Sequence, residues 1–292
     1  MARSISVVIN TLNEEKHLPL ALRSVRPWVD EIVVIDMYSS DRTVGVAREF
    51  GARVHLHRGP GFNFPPREFA VNQGTSEWVL MLDADELVPV ALSRDLRHAA
   101  EADEADVLLL PRANYMLGSI IRHAGCGPEQ DAQVRFFRKG FVAGACVAHQ
   151  DFKPVAGARV KRLPFRGDNA IAHFTYLDSQ QFIERLNHYT GIEAQQALER
   201  GERITPMGAL RKGARTFLRR YGKKQGFRDG WRGLYLSLFY AFYDVATAAK
   251  LQELAAQRGR DAVAAQYLQE AEEILKAYGE TAAVAPSRSI SR

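Results

Sequence analysis

The sequence is poor in cysteine and has no long, uninterrupted run of apolar residues. Its two cysteines, Cys126 and Cys146, form no CxxC pattern, so free thiols in a reducing compartment are expected rather than a disulfide framework. The longest apolar run, GLYLSLFYAFYDVATAA, is interrupted by Asp244. No stretch reaches the roughly 20 apolar residues of a membrane-spanning helix, and no secretory signal is expected at the amino terminus. The sequence predicts a cytosolic protein or one that lies on a membrane surface.

Length, composition and charge limit the class of protein and the number of its domains. The 292 residues are 46% hydrophobic and 25% charged, which is ordinary for a globular protein and argues against global disorder. This length accommodates one large α/β domain with an appendage, or two modest domains. The net charge of +5 suggests an anionic partner without identifying it.

Short apolar runs alternate with amphipathic stretches from residue 5 to about residue 110. ISVVINT, EIVVIDM, ARVHLH and EWVLMLD are typical of strands, and the segments between them have helical spacing. This order predicts an α/β fold with a mostly parallel central sheet covered on both faces. From about residue 178 the pattern is helical. We expect a catalytic domain at 1–177, a helical extension at 178–279 and a flexible tail at 280–292.

Polar residues follow three of the predicted strands, where open parallel sheets bind their ligands. The fourth strand ends in WVLMLDADEL, with acids at Asp83, Asp85 and Glu86. Like charges this close repel one another, but a divalent cation bound to a phosphorylated ligand would hold them ionised, and oxygen ligands suit Mg²⁺ or Mn²⁺. Each motif alone also fits a helix start, a cap or a turn. The residues at the ends of the other two strands are Thr11, Asn13 and Glu14, and Asp36, Ser39, Ser40 and Asp41.

These motifs resemble those of a known enzyme family. SVVINTLNEEKHLPLALRSV, DEIVVIDMYSSDRTVGVAREFGARV and WVLMLDADE are similar to the inverting family 2 glycosyltransferases of the GT-A fold, the fold of nucleotide-diphospho-sugar transferases. Within this family, they resemble the lipopolysaccharide core-biosynthesis glycosyltransferases. DAQVRFFRKG, AHFTYLDSQQFIERLNHYT and DGWRGLYLSLFYAF extend the resemblance to about residue 255.

The resemblance implies a metal-dependent transfer of a sugar from a nucleotide-diphosphate donor, with UDP-sugars first among the candidates. The acceptor would be a hydroxyl of a glycan or glycolipid, with lipopolysaccharide core as one possibility, at the cytoplasmic face of the inner membrane. Asp131 would be the catalytic base, with Glu129 as the alternative. The metal, Mg²⁺ or Mn²⁺, would be bound by Asp85, Asp83 and His149. The residues that would contact the nucleotide sugar are Thr11, Asn13, Glu14, Asp36, Ser39, Arg67 and Asp83.

Two departures from the family pattern concern donor recognition. DMYSSD replaces a DSGSTD-like turn, so the common glycine is missing at Tyr38, and Glu68 stands where asparagine is frequent.

Other functions remain as alternatives. A sugar-nucleotidyltransferase should carry a glycine-rich basic loop after its first strand, and NTLNEEKHLP lacks one. A haloacid-type phosphatase has its DxD on the first strand, and GPGFNF does not complete the GxGxxG of a Rossmann dehydrogenase. A catalytically inactive GT-A protein that serves as a membrane-surface scaffold is the non-enzyme alternative.

A basic segment lies between Arg211 and Arg232, with interleaved aromatic residues and Asp229 as its one acid. Basic and aromatic residues together favour an interfacial helix on an anionic leaflet. A solvated helix face packed on the catalytic domain is the alternative. No recognised nucleic-acid module is present, so nucleic acid is not an expected partner. The cations of the segment are Arg211, Lys212, Arg215, Arg219, Arg220, Lys223, Lys224, Arg228 and Arg232.

Overall fold

The computed structural model describes residues 3–58, 66–144, 152–256 and 259–284. Cys146 and His149, the latter predicted as a metal ligand, lie outside these residues.

Strands and helices alternate in the first half of the chain, and helices dominate the second half. The strands are β1 Ile5–Thr11, β2 Glu31–Asp36, β3 Arg53–Leu56, β4 Trp78–Asp83, β5 Glu86–Leu87, β6 Val107–Leu110, β7 Arg112–Met116, β8 Ser119–Ile120, β9 Gln133–Arg138, β10 Val142–Ala143, β11 Lys153–Pro154, β12 Val160–Arg162 and β13 Ile171–Tyr176. The helices are α1 Leu18–Val25, α2 Thr43–Glu49, α3 Arg67–Gln73, α4 Val90–Ala102, α5 Ser179–Glu199, α6 Pro206–Phe217, α7 Gly230–Ala255 and α8 Arg260–Val284.

A seven-stranded sheet forms the centre of the fold, in the order β12-β6-β9-β4-β1-β2-β3. The pairs β12–β6, β4–β1, β1–β2 and β2–β3 are parallel, whereas β9 runs antiparallel to both of its neighbours. The predicted mostly parallel central sheet is confirmed. In register, Thr11 pairs with Asp36 and Asn10 pairs with Asp83, so these strands end at one common edge.

Both faces of this sheet are buried, which explains why its strands are apolar at nearly every position. Helices α1, α2 and α4 contribute to the core on one face, and α3 contributes Ala70 and Val71 to the core on the other. Trp78 on β4 stacks on Phe136 on β9, with ring centroids 4.7 Å apart, and both side chains are fully buried. The core therefore fixes β4 and β9 side by side.

A second sheet of four strands, in the order β5-β13-β7-β8, begins where two central strands end. The chain passes from β4 to β5 through Ala84 and Asp85, and from β6 to β7 through Pro111. β13 pairs antiparallel with β5 and parallel with β7. The acidic stretch after β4 is therefore the crossing from one sheet to the other.

The contacts divide the chain into two units, of which the first comprises residues 1–182 and 218–237 and the second residues 183–217 and 238–292. The second unit contains α6 and α8 and most of α5 and α7. In it, Asp244 accepts a hydrogen bond from Thr216 Oγ1 at 2.6 Å and lies 3.0 Å from Lys212 Nζ. The acid that interrupts the longest apolar run is therefore a packing contact between helices. The predicted boundaries at residues 178 and 280 stay predictions.

Within the described ranges, no helix combines the length and the apolar character needed to cross a bilayer.

Candidate active site

The acids at the end of β4 and the start of β5, Asp83 and Glu86, are paired with arginines from other elements. Asp83 Oδ2 lies 2.9 Å from Arg135 Nη2 and 3.4 Å from Arg67 Nη2. Glu86 is fully buried, and its Oε1 accepts a hydrogen bond from Arg112 Nε at 2.7 Å. Burial by itself would raise the pKa of Asp83, but the charges of Arg135, Arg67 and Arg112 outweigh it and hold that pKa well below its usual range.

Asp85, the middle acid, faces a histidine instead. Its Oδ2 lies 3.5 Å from Nε2 of His173 on β13, and its main-chain oxygen accepts the N–H of Phe174 at 3.1 Å. His173 is 8% exposed. Its Nδ1 lies 2.6 Å from Asn114 Oδ1 on β7. In the described part of the chain, no cluster of three or more His, Cys, Asp or Glu side chains could hold a metal ion; Asp85 and His173 form a pair.

Asp131, the predicted base, is connected to the same network. Its Oδ2 accepts a hydrogen bond from Asn114 Nδ2 at 2.7 Å and lies 3.6 Å from Arg112 Nη1. Its Oδ1 lies 3.3 Å from Gln133 Nε2, and the side chain is 27% exposed. Glu129, the alternative base, has an exposed side chain. The structure therefore brings Asp131, rather than Glu129, together with the acids after β4.

The loop that carries Asp131 requires a glycine and is held by residues far along the chain. A Cβ on Gly127 would lie 1.9 Å from Arg122 O, so a larger residue there must displace the backbone. Arg220 Nη1 donates to Ala124 O at 2.7 Å, and the Asp229 carboxylate accepts the main-chain N–H groups of Arg122 and His123. The basic segment thus supports this loop.

The residues predicted after β1 and β2 form a second group at the same sheet edge. The Ser39 hydroxyl accepts the Asn13 N–H at 2.8 Å, and the Glu14 N–H donates to Thr43 Oγ1 at 2.8 Å. Asp36 is fully buried, and its two oxygens accept the main-chain N–H and the hydroxyl of Ser39. These contacts join the β1 and β2 turns. The nucleotide contacts predicted for Thr11, Asn13, Glu14, Asp36 and Ser39 stay predictions.

Tyr38 occupies the position of the missing glycine and keeps a glycine-like backbone. Its φ is +65°, a left-handed conformation that costs a residue with a side chain roughly 1 kcal/mol. Its ring is 54% exposed, with Arg58 Cζ 5.3 Å from the ring centroid. The turn is therefore retained, and it gains an exposed aromatic ring beside a cation.

Asn10, Arg112, Asn114 and Arg135 belong to the site and were not predicted from the sequence, whereas the neighbouring Thr11 was. Asn10 and Thr11 are buried at the sheet edge, and the Asn10 amide and Thr11 hydroxyl have no hydrogen-bond partner among the described residues. Arg112 and Asn114 gave no recognisable motif. Arg135 did give a signal, because a charged residue inside the apolar run QVRFFR must be paired if it is buried.

Comparisons with known proteins cover the part of the chain that contains this site. The sequence profile of the family described as Glycosyl transferase family 2 matches residues 6–148, which include the acids after β4 and Asp131. An uncharacterized glycosyltransferase of Rickettsia typhi is 25% identical over 262 residues, covering 86% of this chain and 88% of that protein. Residues 6–148 of the chain therefore match glycosyl transferase family 2, which confirms the predicted family.

Two solved structures are similar over smaller parts. Staphylococcus aureus TarS has a TM-score of 0.42 and 17% identity, covering 65% of this chain and 39% of its own. Mycobacterium tuberculosis glucosyl-3-phosphoglycerate synthase, in complex with Mn²⁺, UDP-glucose and phosphoglyceric acid, has a TM-score of 0.33 and 24% identity, covering 40% of this chain and 45% of its own. This chain thus spans less than half of either protein.

Removing the buried acid should destabilise the fold. In Glu86→Ala, Arg112 and Arg135 lose the carboxylate between them, so we expect the free energy of unfolding to fall by about 3–5 kcal/mol in urea titrations. Glu86→Gln should lose less, because its amide oxygen can still accept the Asp83 N–H. Glu101→Ala, at an exposed position, is the control. Equal free energies of unfolding for Glu86→Ala and this control would show that the pairing of Glu86 with the arginines does not stabilise the fold.

Proposed function

We propose that the protein transfers a sugar, with inversion, from a nucleotide-diphosphate donor to a hydroxyl of a glycan or glycolipid. One observation carries this proposal: Asn114 touches both the predicted base, Asp131, and His173, the partner of Asp85. A carboxylate for the acceptor hydroxyl and a pair of groups for the donor diphosphate are therefore held in one network. The family match supports the reaction class.

Inversion requires that the acceptor hydroxyl be deprotonated as its oxygen attacks the anomeric carbon. Asp131 is partly exposed, Arg112 Nη1 lies 3.6 Å from it, and a carboxylate in this place can take up the proton as a general base. The hydroxyl oxygen forms the new glycosidic bond, the bond from the anomeric carbon to the diphosphate oxygen breaks, and the proton goes to Asp131. The leaving nucleotide diphosphate carries the electron pair away.

Asp85 and His173 fit a divalent cation shared with the donor. Asp85 Oδ2 and His173 Nε2 face each other at 3.5 Å, and Mg²⁺ or Mn²⁺ at such sites commonly combines one or two protein ligands with substrate phosphates. When bound, the ion would neutralise charge on the leaving diphosphate. An imidazole ligand favours Mn²⁺ over Mg²⁺, which prefers oxygen. The metal roles predicted for Asp83 and His149 stay predictions.

The nucleotide would lie along the ends of β1, β2 and β4, and a UDP-sugar is the donor that we propose first. Neighbouring strands are roughly 5 Å apart, so a nucleotide can reach from the Asp36 turn to Asp83. The buried polar atoms of Asn10 and Thr11 support this placement, since buried polar groups usually have partners. Lipopolysaccharide core stays the proposed acceptor on the basis of the sequence resemblance.

The two alternatives make different predictions for the products. A sugar-nucleotidyltransferase would release pyrophosphate, and an inactive scaffold would neither transfer nor hydrolyse a nucleotide sugar. Screening nucleotide sugars for thermal stabilisation, with and without Mn²⁺, identifies the donor first, because a ligand of the folded state raises the apparent stability.

Asp85→Asn tests the metal site. We expect transfer to fall by at least about 100-fold, because the ion supplies several kcal/mol of charge stabilisation. The Mn²⁺-dependent stabilisation by UDP should also be lost. Asp168→Asn, which removes an exposed acid, is the control. Normal turnover of Asp85→Asn with Mn²⁺ or Mg²⁺ would rule out this assignment.

Asp131→Asn tests the base. The amide keeps the size of the side chain but cannot take up the proton, so turnover should fall on the order of 10²–10⁴-fold. Donor affinity should change little, because the groups proposed to bind the nucleotide lie elsewhere. Glu129→Gln should behave as the parent protein. Retained turnover in Asp131→Asn together with loss in Glu129→Gln would assign the base to Glu129.

We also propose that residues 218–235 dock on an anionic membrane surface at the cytoplasmic face of the inner membrane. Leu218, Phe227, Trp231 and Tyr235 are between 48% and 67% exposed, and exposed cations lie among them. Cations beside aromatic side chains suit the headgroup region of an anionic leaflet. Because this segment supports the Asp131 loop, docking would place the base near a membrane-bound acceptor. The exposed cations are Arg219, Lys223 and Arg228.

Replacing these three cations with glutamine should weaken binding to vesicles that contain anionic lipid. At about 1 kcal/mol for each cation, the loss should be roughly 100-fold at low salt. Arg220 is left in place because it holds Ala124. The control replaces Arg42, Arg94 and Lys161, which are also exposed and change the net charge equally. Equal binding by both triple variants in vesicle co-flotation would remove the membrane proposal.

A further inference from the structure

Asn114 is a buried polar side chain that makes three hydrogen-bond contacts next to the proposed base. It is 1% exposed and lies opposite His173 in the β7–β13 register. Its Nδ2 donates to Cys126 O at 2.8 Å and to Asp131 Oδ2 at 2.7 Å. Its Oδ1 lies 2.6 Å from His173 Nδ1. One amide thus connects the loop, the base and the histidine.

These partners fix which way the amide points. A main-chain carbonyl can only accept a hydrogen bond, so the NH₂ group of Asn114 must face Cys126 O and Asp131, and Oδ1 must face the ring. An amide oxygen also only accepts, so the proton of this hydrogen bond must lie on His173 Nδ1. In the neutral ring, Nε2 then presents its lone pair to Asp85 Oδ2 at 3.5 Å.

We propose that Asn114 is a positioning residue that sets both halves of the reaction: it orients the Asp131 carboxylate and holds His173 in the Nδ1–H tautomer. The proposal rests on the function proposed above. The hydrogen bond from Asn114 Nδ2 fixes the direction of the Asp131 carboxylate, and Arg112 Nη1 lies 3.6 Å from the same oxygen. A histidine with its proton fixed on Nδ1 keeps Nε2 available as a ligand.

Two substitutions separate the two roles. Asn114→Asp keeps an oxygen that can accept the His173 Nδ1–H, but its carboxylate cannot donate to Asp131. Asn114→Leu is close in size and makes neither hydrogen bond. The matched control is Asn169→Leu, because Asn169 is also 1% exposed and its Nδ2 likewise donates to a carboxylate, Asp95 Oδ2 at 2.8 Å, and to a main-chain carbonyl, Pro164 O.

The tautomer can be measured without substrate or metal. In the ¹⁵N-histidine NMR spectrum of the full chain, the His173 signals are assigned as those lost in His173→Gln. We expect the Nδ1–H tautomer in the parent protein, in Asn114→Asp and in Asn169→Leu, and its loss in Asn114→Leu. An Nε2–H tautomer in the parent protein, or an unchanged Nδ1–H signal in Asn114→Leu, would overturn the proposal.

Turnover provides the second measurement. Both Asn114 variants should lose about 10–100-fold in kcat, the usual effect of removing a residue that orients a ligand or base, whereas Asn169→Leu should keep its turnover. Full turnover in Asn114→Asp would overturn the role toward Asp131. The NMR measurement requires no activity, so it can contradict the role of Asn114 whether or not the protein is a transferase. The Asp85 and Asp131 variants test the proposed transferase function directly.

Discussion

The site depends on the pairing of two acids at the junction of β4 and β5 with arginines from β7 and β9. A buried carboxylate without a partner would be strongly destabilising, and Glu86 is fully buried between Arg112 and Arg135. Asp83 shares the Arg135 guanidinium. These pairs allow the chain to turn from the central sheet into the second sheet without leaving uncompensated charge in the interior. Asp85, between the two paired acids, faces His173 instead.

The change of sheet also explains why distant residues meet here. β4 continues into β5 and β6 into β7, so residues at the ends of central strands are followed directly by residues of the second sheet. β13 then lies between β5 and β7 and brings His173 opposite Asn114. The Asp85–His173 pair and its contact with Asn114, which also holds Asp131, thus follow from one topological feature.

The sequence was sufficient to predict the sheet, its carboxyl edge and the family, because strand periodicity and the polar residues after each strand are local signals. The pairing of Glu86 with Arg112 could not be predicted, since it depends on the register between strands from two sheets. The contact of His173 with Asp85 could not be predicted for the same reason, because Asp85 lies 88 positions earlier in the sequence. Asp131 was predicted from a family motif rather than from its own environment.

The basic segment shows how one sequence pattern can contain cations in different structural environments. Its composition alone favoured a membrane-facing or solvated surface, and the structure divides its cations. Arg220 and Arg232 donate to the main-chain oxygens of Ala124 and Leu117, whereas Arg219, Lys223 and Arg228 are exposed. A guanidinium can donate hydrogen bonds to main-chain carbonyl groups in a loop whose backbone is not paired in a helix or a sheet. Arg220 therefore helps to hold the loop that carries Asp131, whereas in the described structure the three exposed cations take no part in holding it.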